Sequence, residues 1–342
     1  MREEVQPGLH RSEVSVPLLQ VRNLRVEFNT RRGTLTAIDD VSFDIAQGEV
    51  LGVVGESGAG KSLTGSAIIG LLEPPGRIAG GEILLEGERI DNLPAEAMRK
   101  IRGRRIGAIF QDPLTSLNPL YTVGRQLVET IQTHLPMNHE AARKRAIALL
   151  AEVGISAPER RIDNYPHQFS GGMRQRVVIA LAICADPKLI IADEPTTALD
   201  VSIQAQIIQL LKRLCRDNGT AVMLVTHDMG VIAETADRVA VMYAGRIVEI
   251  GPVQEVIHNP QHPYTAGLMA SIPALGQDVE RLAQIEGSMP RLNAIPAGCP
   301  FNPRCPRVFD RCRVERPQLM PAGKSRAACW LHVEEKKGVA HA

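Results

Sequence analysis

Aromatic side chains make up only 3% of this 342-residue chain, and its charges nearly cancel, leaving a formal net charge of +1. Scarce aromatics leave few platforms on which bases could stack, and balanced charge offers no broad field to a polyanion. A nucleic-acid partner is therefore not expected. No apolar run approaches the ~20 residues that cross a bilayer. The start, Met1-Arg2-Glu3-Glu4-Val5-Gln6-Pro7, also lacks the apolar centre of a secretory signal. The chain is expected to stay in the cytoplasm, where its six cysteines should not form stable disulfides. Four of those six crowd into the last 44 residues, which calls for another explanation. With 44% apolar residues, the length suits two domains, or one large domain with an appendage.

What is present centres on Gly55-Glu56-Ser57-Gly58-Ala59-Gly60-Lys61-Ser62, which satisfies the phosphate-loop pattern G-x-x-x-x-G-K-[ST]. Glu49 to Val54 before it reads as a strand, and Leu63 to Leu72 after it reads as a helix. In that context the glycines free backbone N–H groups to wrap phosphate oxygens, and the helix aims its positive end at them. Lys61 is expected to reach the β- and γ-phosphates, and the Ser62 hydroxyl to ligate Mg²⁺. A chance Gly-rich turn would lack the flanking strand and helix.

Residues 1–17 are polar and without periodicity, and read as a flexible leader. Leu18 to Phe28 alternates as a half-buried strand, and Leu35 to Ile45 as its antiparallel return. Glu73-Pro74-Pro75-Gly76 breaks the chain, a short strand pair follows over Gly81 to Ile90, and Ile106 to Phe110 is a strand ending at Gln111. The five cations of Arg99–Arg105 read as solvated surface. From Asp112 to about Ala185 the periodicity is helical, with Val123–Leu135 and His139–Val153 as the clearest helices. Strands return at Lys188–Ala192, Ala221–Thr226 and Val239–Tyr243 as near-continuous apolar runs, which suit a parallel sheet buried on both faces. Eleven of the 23 prolines fall in the last 91 residues, so the region beyond about Gly251 reads as a loop-rich appendage outside the sheet.

Asp193 and Glu194 end the strand Leu189-Ile190-Ile191-Ala192. Asp193 is placed for the Mg²⁺ shell, as the second acidic motif of phosphate-loop enzymes is. Glu194 is placed to polarise water against the γ-phosphate. Gln111 and His227 also end strands, where open α/β sheets bind ligands; alone, the Gln reads as surface and the His stays open. Ser170 is an N-cap before Gly171, Gly172 and Met173, so a second helix begins with uncovered N–H groups. Alone it reads as an ordinary glycine-containing helix start.

The order of phosphate loop, Gln111, Ser170-Gly171-Gly172, Asp193-Glu194, Ala198-Leu199-Asp200 and His227 resembles an ABC-transporter ATPase subunit over residues 18–257. Phe169 and Met173 depart from the commonest signature, which has Leu and Gln there; the Ser-Gly-Gly centre is kept. The resemblance implies an α/β phosphate-loop core, a mainly parallel sheet with an antiparallel β subdomain, and a helical subdomain inserted at about 112–185. It also implies a dimer that sandwiches two ATPs, each phosphate loop facing the other subunit's Ser170–Gly172. In that scheme Gln111 senses Mg²⁺ and the attacking water, His227 contacts the γ-phosphate, and Asp200 works across the dimer interface. Phe28 is the candidate for stacking on adenine, with a core position as the alternative.

Residues 258–342 narrow the resemblance. His258-Asn259-Pro260-Gln261-His262-Pro263-Tyr264-Thr265 and Ser271-Ile272-Pro273 resemble the C-terminal region of oligopeptide/dipeptide importer ATPases. Cys299-x5-Cys305-x6-Cys312-x16-Cys329 offers four thiolates without paired C-x2-C knuckles. The resemblance implies a [4Fe–4S] cluster there, with zinc (on all four thiolates, or with His332 exchanged in) or free thiols as the alternatives. Cys184 and Cys215 read as small core residues.

The function implied is ATP hydrolysis driving uptake of di- or oligopeptides. The partners implied are two integral membrane permease subunits, a second identical or paralogous ATPase subunit and, indirectly, an extracytoplasmic solute-binding protein. The chain would then lie peripherally on the cytoplasmic face of the cell membrane, with Mg²⁺ as cofactor. Nickel, glutathione or another solute would use a similar ATPase. A soluble ABC ATPase of translation or DNA repair usually carries two cassettes or a long coiled coil, and neither is found here. No Asn-Lys-x-Asp occurs, which disfavours a GTPase.

Overall fold

The computed structural model describes residues 16–112, 115–197, 199–271 and 284–333. Most of the expected leader, Ala198, and Ile272-Pro273 lie outside them. Strands β1 (Leu19–Thr30) and β2 (Gly33–Ile45) pair antiparallel, and β3 (Val50–Val54) leads into helix α1 (Lys61–Ile68). Strand β4 (Gly76–Leu85) starts earlier than the expected Gly81, because the residues after the Pro-Pro break pair at once with the end of β1. With β5 (Glu88–Arg89) they form a four-stranded sheet in the order β2-β1-β4-β5.

Helix α2 (Ala95–Ile101) and strand β6 (Ile106–Ile109) precede the helical insertion. The latter holds α3 (Val123–His134), α4 (His139–Glu152) and α5 (Pro158–Arg161), and α6 (Gly171–Ile183) returns the chain to the core. Thr122 and Asn138 cap α3 and α4, accepting from the N–H groups of Arg125 and Ala141. Buried Val123, Leu127, Val128 and Ile131 form the inward stripe of α3.

The remaining elements are β7 (Leu189–Asp193), α7 (Val201–Asn218), β8 (Ala221–Val225), α8 (Met229–Thr235), β9 (Arg238–Tyr243) and β10 (Arg246–Pro252). After them come α9 (Val253–His258), α10 (Pro263–Ala270), α11 (Asp310–Val314), β11 (Met320–Ala322) and β12 (Ser325–Ala327). The main sheet has eight strands in the order β11-β12-β10-β9-β3-β8-β7-β6, and its β9-β3-β8-β7-β6 stretch is parallel. Alternate residues of the apolar runs serve two cores. Val50, Ile190, Val222 and Leu224 face the helical side, while Leu51, Val53, Leu189, Ile191 and Met223 face the antiparallel sheet. Both faces are therefore covered, which is why these strands lack polar positions.

Two expectations are corrected. The C-terminal region is not outside the sheet: β12 pairs antiparallel with β10, and β11 extends it further. The Arg99–Arg105 cluster is not simply solvated. Arg102 donates to the carbonyls of Ile69 and Gly70 at 2.7 Å, Arg104 to Ala185 at 2.6 Å, and Arg105 pairs with Glu86 and Glu88. Guanidinium groups thus cover carbonyls just beyond the C-termini of α1 and α6, where positive charge is favoured. Arg99, Lys100 and Arg104 keep the expected exposed character, while Arg102 and Arg105 are half-buried. Cys184 and Cys215 are buried as expected, and burial pushes their thiols up to about 12.

Candidate active site

Four parallel strands end on one edge of the sheet. β3 runs into Gly55–Ser62, β6 toward Gln111, β7 into Asp193 and Glu194, and β8 toward His227. Register aligns them: Val225 lies opposite both Val53 and Asp193, and Ile109 opposite Ala192. In the loop, Gly55 has φ 152°, and a Cβ there would fall 2.3 Å from the Met242 carbonyl oxygen. Only glycine fits so close a backbone. Gly60 precedes α1 and gives it no side-chain cap, so the first N–H groups of the helix stay open to an anion.

Lys61 is buried, and its Nζ donates to the carbonyls of Gly55 (2.9 Å) and Glu56 (3.2 Å). Burial lowers its pKa, while the carboxylates of Glu194 and Asp193 oppose that shift. Ser62 Oγ donates to Asp193 Oδ1 at 2.9 Å, which brings together the two groups expected at Mg²⁺. Burial raises the Asp193 carboxyl, against the Ser62 hydrogen bond. Glu194 moves the other way: burial pushes it up, but hydrogen bonds from Thr197 and His227 and the electrostatic pull of His227 and Lys61 together more than offset this. The result is a carboxylate held ionised beside the loop. Thr197 Oγ1 donates to Glu194 Oε2 at 2.8 Å, Gln111 Nε2 to the same oxygen at 3.2 Å, and His227 Nδ1 lies 3.2 Å from Oε1. Glu194 itself is left-handed (φ 46°), a turn pinned by its N–H on the Val225 carbonyl at 2.8 Å.

Lys61, Ser62, Gln111, Asp193, Glu194 and His227 thus converge. Ser170–Met173 do not join them: among the described residues no hydrogen bond links that stretch to the loop or to the two carboxylates. Ser170 caps α6, accepting from Met173 N–H at 3.4 Å, and α6 begins at Gly171 rather than at Met173. Asp200 is the exposed N-cap of α7, accepting from Ile203 N–H at 3.0 Å and from Ser202 Oγ at 2.6 Å. Phe28 is half-buried near the end of β1, with its ring against Gly76.

Sequence reading missed three groups. Thr197 orients Glu194 from three residues on, in a turn whose only signal is its Thr-rich composition. Tyr264 and Arg304 bond Glu56 across long separations, Tyr264 accepting from its N–H at 3.0 Å and Arg304 donating to its carboxylate at 3.0 Å.

Cys299, Cys305, Cys312 and Cys329 line one small cavity with His262, Phe301 and Trp330; Cys305 is half-buried and the other three are buried. Burial pushes Cys299 up to about 11, and the three other thiols add to the shift. Among the described residues no three His, Cys, Asp or Glu side chains are arranged to hold a single metal ion. Tetrahedral zinc, with Zn–S near 2.3 Å, needs its sulfurs within about 4 Å of one another. A four-iron cluster spreads its ligand sulfurs more widely than a single ion does. The cavity, ≈10 Å³, has room for about one water, so the thiol side chains must turn aside to admit a cluster.

Residues 38–197 match the family described as ABC transporter, and residues 248–312 match the oligopeptide/dipeptide transporter C-terminal region. The chain is 49% identical to the dipeptide transport ATP-binding protein DppD of Bacillus subtilis, over 92% of this chain and 94% of that protein. It is 46% identical to the oligopeptide transport ATP-binding protein AppD of the same organism, over 93% and 98%. It is also 49% identical to DppD of Escherichia coli over 93% and 98%. Among solved structures it resembles the dimeric post-hydrolysis state of the cassette MJ0796 bound to ADP and Pi. That likeness has a TM-score of 0.63 at 30% identity and covers 69% of this chain and 98% of the other.

Proposed function

The chain belongs to the ABC transporter ATPases, in their oligopeptide/dipeptide importer branch, and on that premise we propose how its residues drive uptake. It is the ATPase subunit of a di- or oligopeptide importer. The loop Gly55–Ser62 holds the ATP phosphates, with Lys61 on the β- and γ-phosphates and Phe28 against the adenine. Ser62, Asp193 and Gln111 would hold Mg²⁺, which when bound would offset charge on the phosphate oxygens. Glu194 takes a proton from water as the water oxygen attacks the γ-phosphorus, and the bridging bond's electron pair leaves with ADP. Gln111 positions that water and His227 touches the γ-phosphate.

The carrying observation is the convergence of six groups from four strand ends, while the second glycine-rich helix start, at Ser170–Gly172, stands elsewhere in the chain. That arrangement supports half a site in each subunit. Ser170, Gly171, Gly172 and Met173 of a second copy or paralogue would complete it, with Asp200 at the interface. The dimeric state of MJ0796 supports the same reading. Closure then gates hydrolysis, since neither half surrounds the γ-phosphate alone.

Among the described residues no helix is long and apolar enough to cross a membrane. We place the subunit on the cytoplasmic face, docked through α3–α5 to two permease subunits, with an extracytoplasmic binding protein choosing the solute. Gentle solubilisation of native membranes should recover it with two integral membrane proteins; recovery only with ribosomes or DNA would overturn the transport reading. Cells lacking it should lose uptake of a labelled dipeptide or oligopeptide, whereas lost uptake of nickel or glutathione alone would reassign the solute.

The four cysteines are proposed as ligands of a [4Fe–4S] cluster, supported by their shared cavity. Protein purified without oxygen should be brown and carry about four irons per chain. Cys305→Ser should bleach it. A colourless preparation with one zinc per chain would replace the cluster by the zinc alternative.

A further inference from the structure

Glu56, the second residue of the phosphate loop, poses an electrostatic problem. A carboxylate inside a loop that must take up a polyanion repels its own ligand unless the charge is offset. The offset comes from the far end of the chain. Arg304 Nη1 lies 3.0 and 3.1 Å from the two Glu56 oxygens, and its side chain is only 7% exposed. Its fork is fixed from every other side. Nε donates to the Glu286 carbonyl at 2.8 Å, Nη2 to Ile285 at 3.2 Å, and Nη1 also approaches Tyr243 Oη at 3.4 Å.

The backbone of Glu56 is held as well. Its N–H donates to Tyr264 Oη, and its carbonyl accepts from Lys61 Nζ. Tyr264, Tyr243 and Phe301 pack edge-on or tilted, with centroids 4.7–5.4 Å apart, and Tyr264 is fully buried. This is rigid ground for a guanidinium that sits beside the Tyr243 and Phe301 rings. Arg304, Glu56 and Lys61 thus form one chain of contacts from the C-terminal region to the phosphate-binding ammonium.

We propose that Arg304 is a positioning residue for ATP: it neutralises and pins Glu56, so that the C-terminal region of the same chain sets the affinity of the phosphate loop. The proposal rests on reading Gly55–Ser62 as the ATP site. It goes beyond that reading because it gives the C-terminal region a part in nucleotide binding.

The test uses the full chain. Arg304→Gln keeps N–H donors near the Ile285 and Glu286 carbonyls but loses the charge. It is expected to raise KM for ATP about tenfold with kcat within about threefold. Arg304→Lys should stay within about threefold of wild type in KM. The decisive readout is rescue: Glu56→Gln on top of Arg304→Gln removes the repelling charge and should restore most of the lost affinity. A contact that served folding alone would lower the melting temperature and would not be rescued this way. An unchanged KM in Arg304→Gln, or a double variant no better than the single one, overturns the proposal. Lys61→Ala is run alongside: undiminished ATP binding there would instead overturn the site reading.

Discussion

Glu194→Gln is expected to bind ATP as well as wild type and to turn it over 10²–10⁴-fold more slowly, the range for loss of a positioned general base. At 1.36 kcal/mol per decade this is about 3–5 kcal/mol of transition-state stabilisation. Glutamine has the same shape, and its amide oxygen still accepts from Thr197, which now donates to Glu194 Oε2 at 2.8 Å. What it lacks is a basic oxygen for the water's proton. The surroundings keep that oxygen ionised, since hydrogen bonds from Thr197 and His227 and the pull of His227 and Lys61 together outweigh the burial that would protonate it. Binding should survive because the phosphate contacts assigned to Lys61 and the open helix start of α1 are untouched. ATP-bound dimers should accumulate in the variant. Equilibrium ATP titration with single-turnover hydrolysis checks both halves, and wild-type turnover would remove Glu194 from its role. Thr197→Val should show a milder loss in turnover, since it frees the carboxylate to wander without removing it.

The site was legible where its determinants are local. Strand, loop and helix follow one another around Lys61, and Asp193-Glu194 ends an apolar run, so each motif carries its own context. The C-terminal part was not legible in that way. β11 and β12 are three residues each, Met320–Ala322 and Ser325–Ala327, too short for alternation to show. Pro321 lies within β11, the outermost strand, where a missing N–H costs no ladder bond on the open side. Proline content therefore read as loop although the segment extends the sheet. The Arg99–Arg105 cluster misled for a related reason. Its partners are carbonyls of Ile69, Gly70 and Ala185, and backbone acceptors leave no mark in a sequence. The Arg304–Glu56 pair spans 248 residues, and neither residue looks unusual in its own neighbourhood.

Gly171→Asp separates the fold of one subunit from the assembly of two. An ideal Cβ at Gly171 meets no heavy atom within 4 Å, whereas one at Gly172 would fall 2.9 Å from the Ile203 side chain. A side chain at 171 therefore costs the single subunit no space. It would also stand on the first residue of a 13-residue helix, beside the Ser170 cap. A carboxylate there favours the helix by about 0.3–1 kcal/mol, so the melting temperature should hold or rise slightly. Its own phosphate loop is elsewhere, so ATP affinity of the monomer should not change. In a dimer closed as proposed, the same carboxylate would face the γ-phosphate bound to the other subunit. Juxtaposed like charges cost several kcal/mol, which at 1.4 kcal/mol per decade is a loss of about 100-fold or more in ATP-driven dimerisation. Turnover in the assembled transporter should fall with it. The opposite signs of the two effects are what make the variant informative: destabilisation would show as lowered melting, and a damaged ATP site as weakened binding. Light scattering of Glu194→Gln protein with ATP, with and without Gly171→Asp, reads the dimer directly. Equal dimer formation in both would mean that Gly171 does not face the partner's nucleotide, and the shared-site mechanism would fall with it.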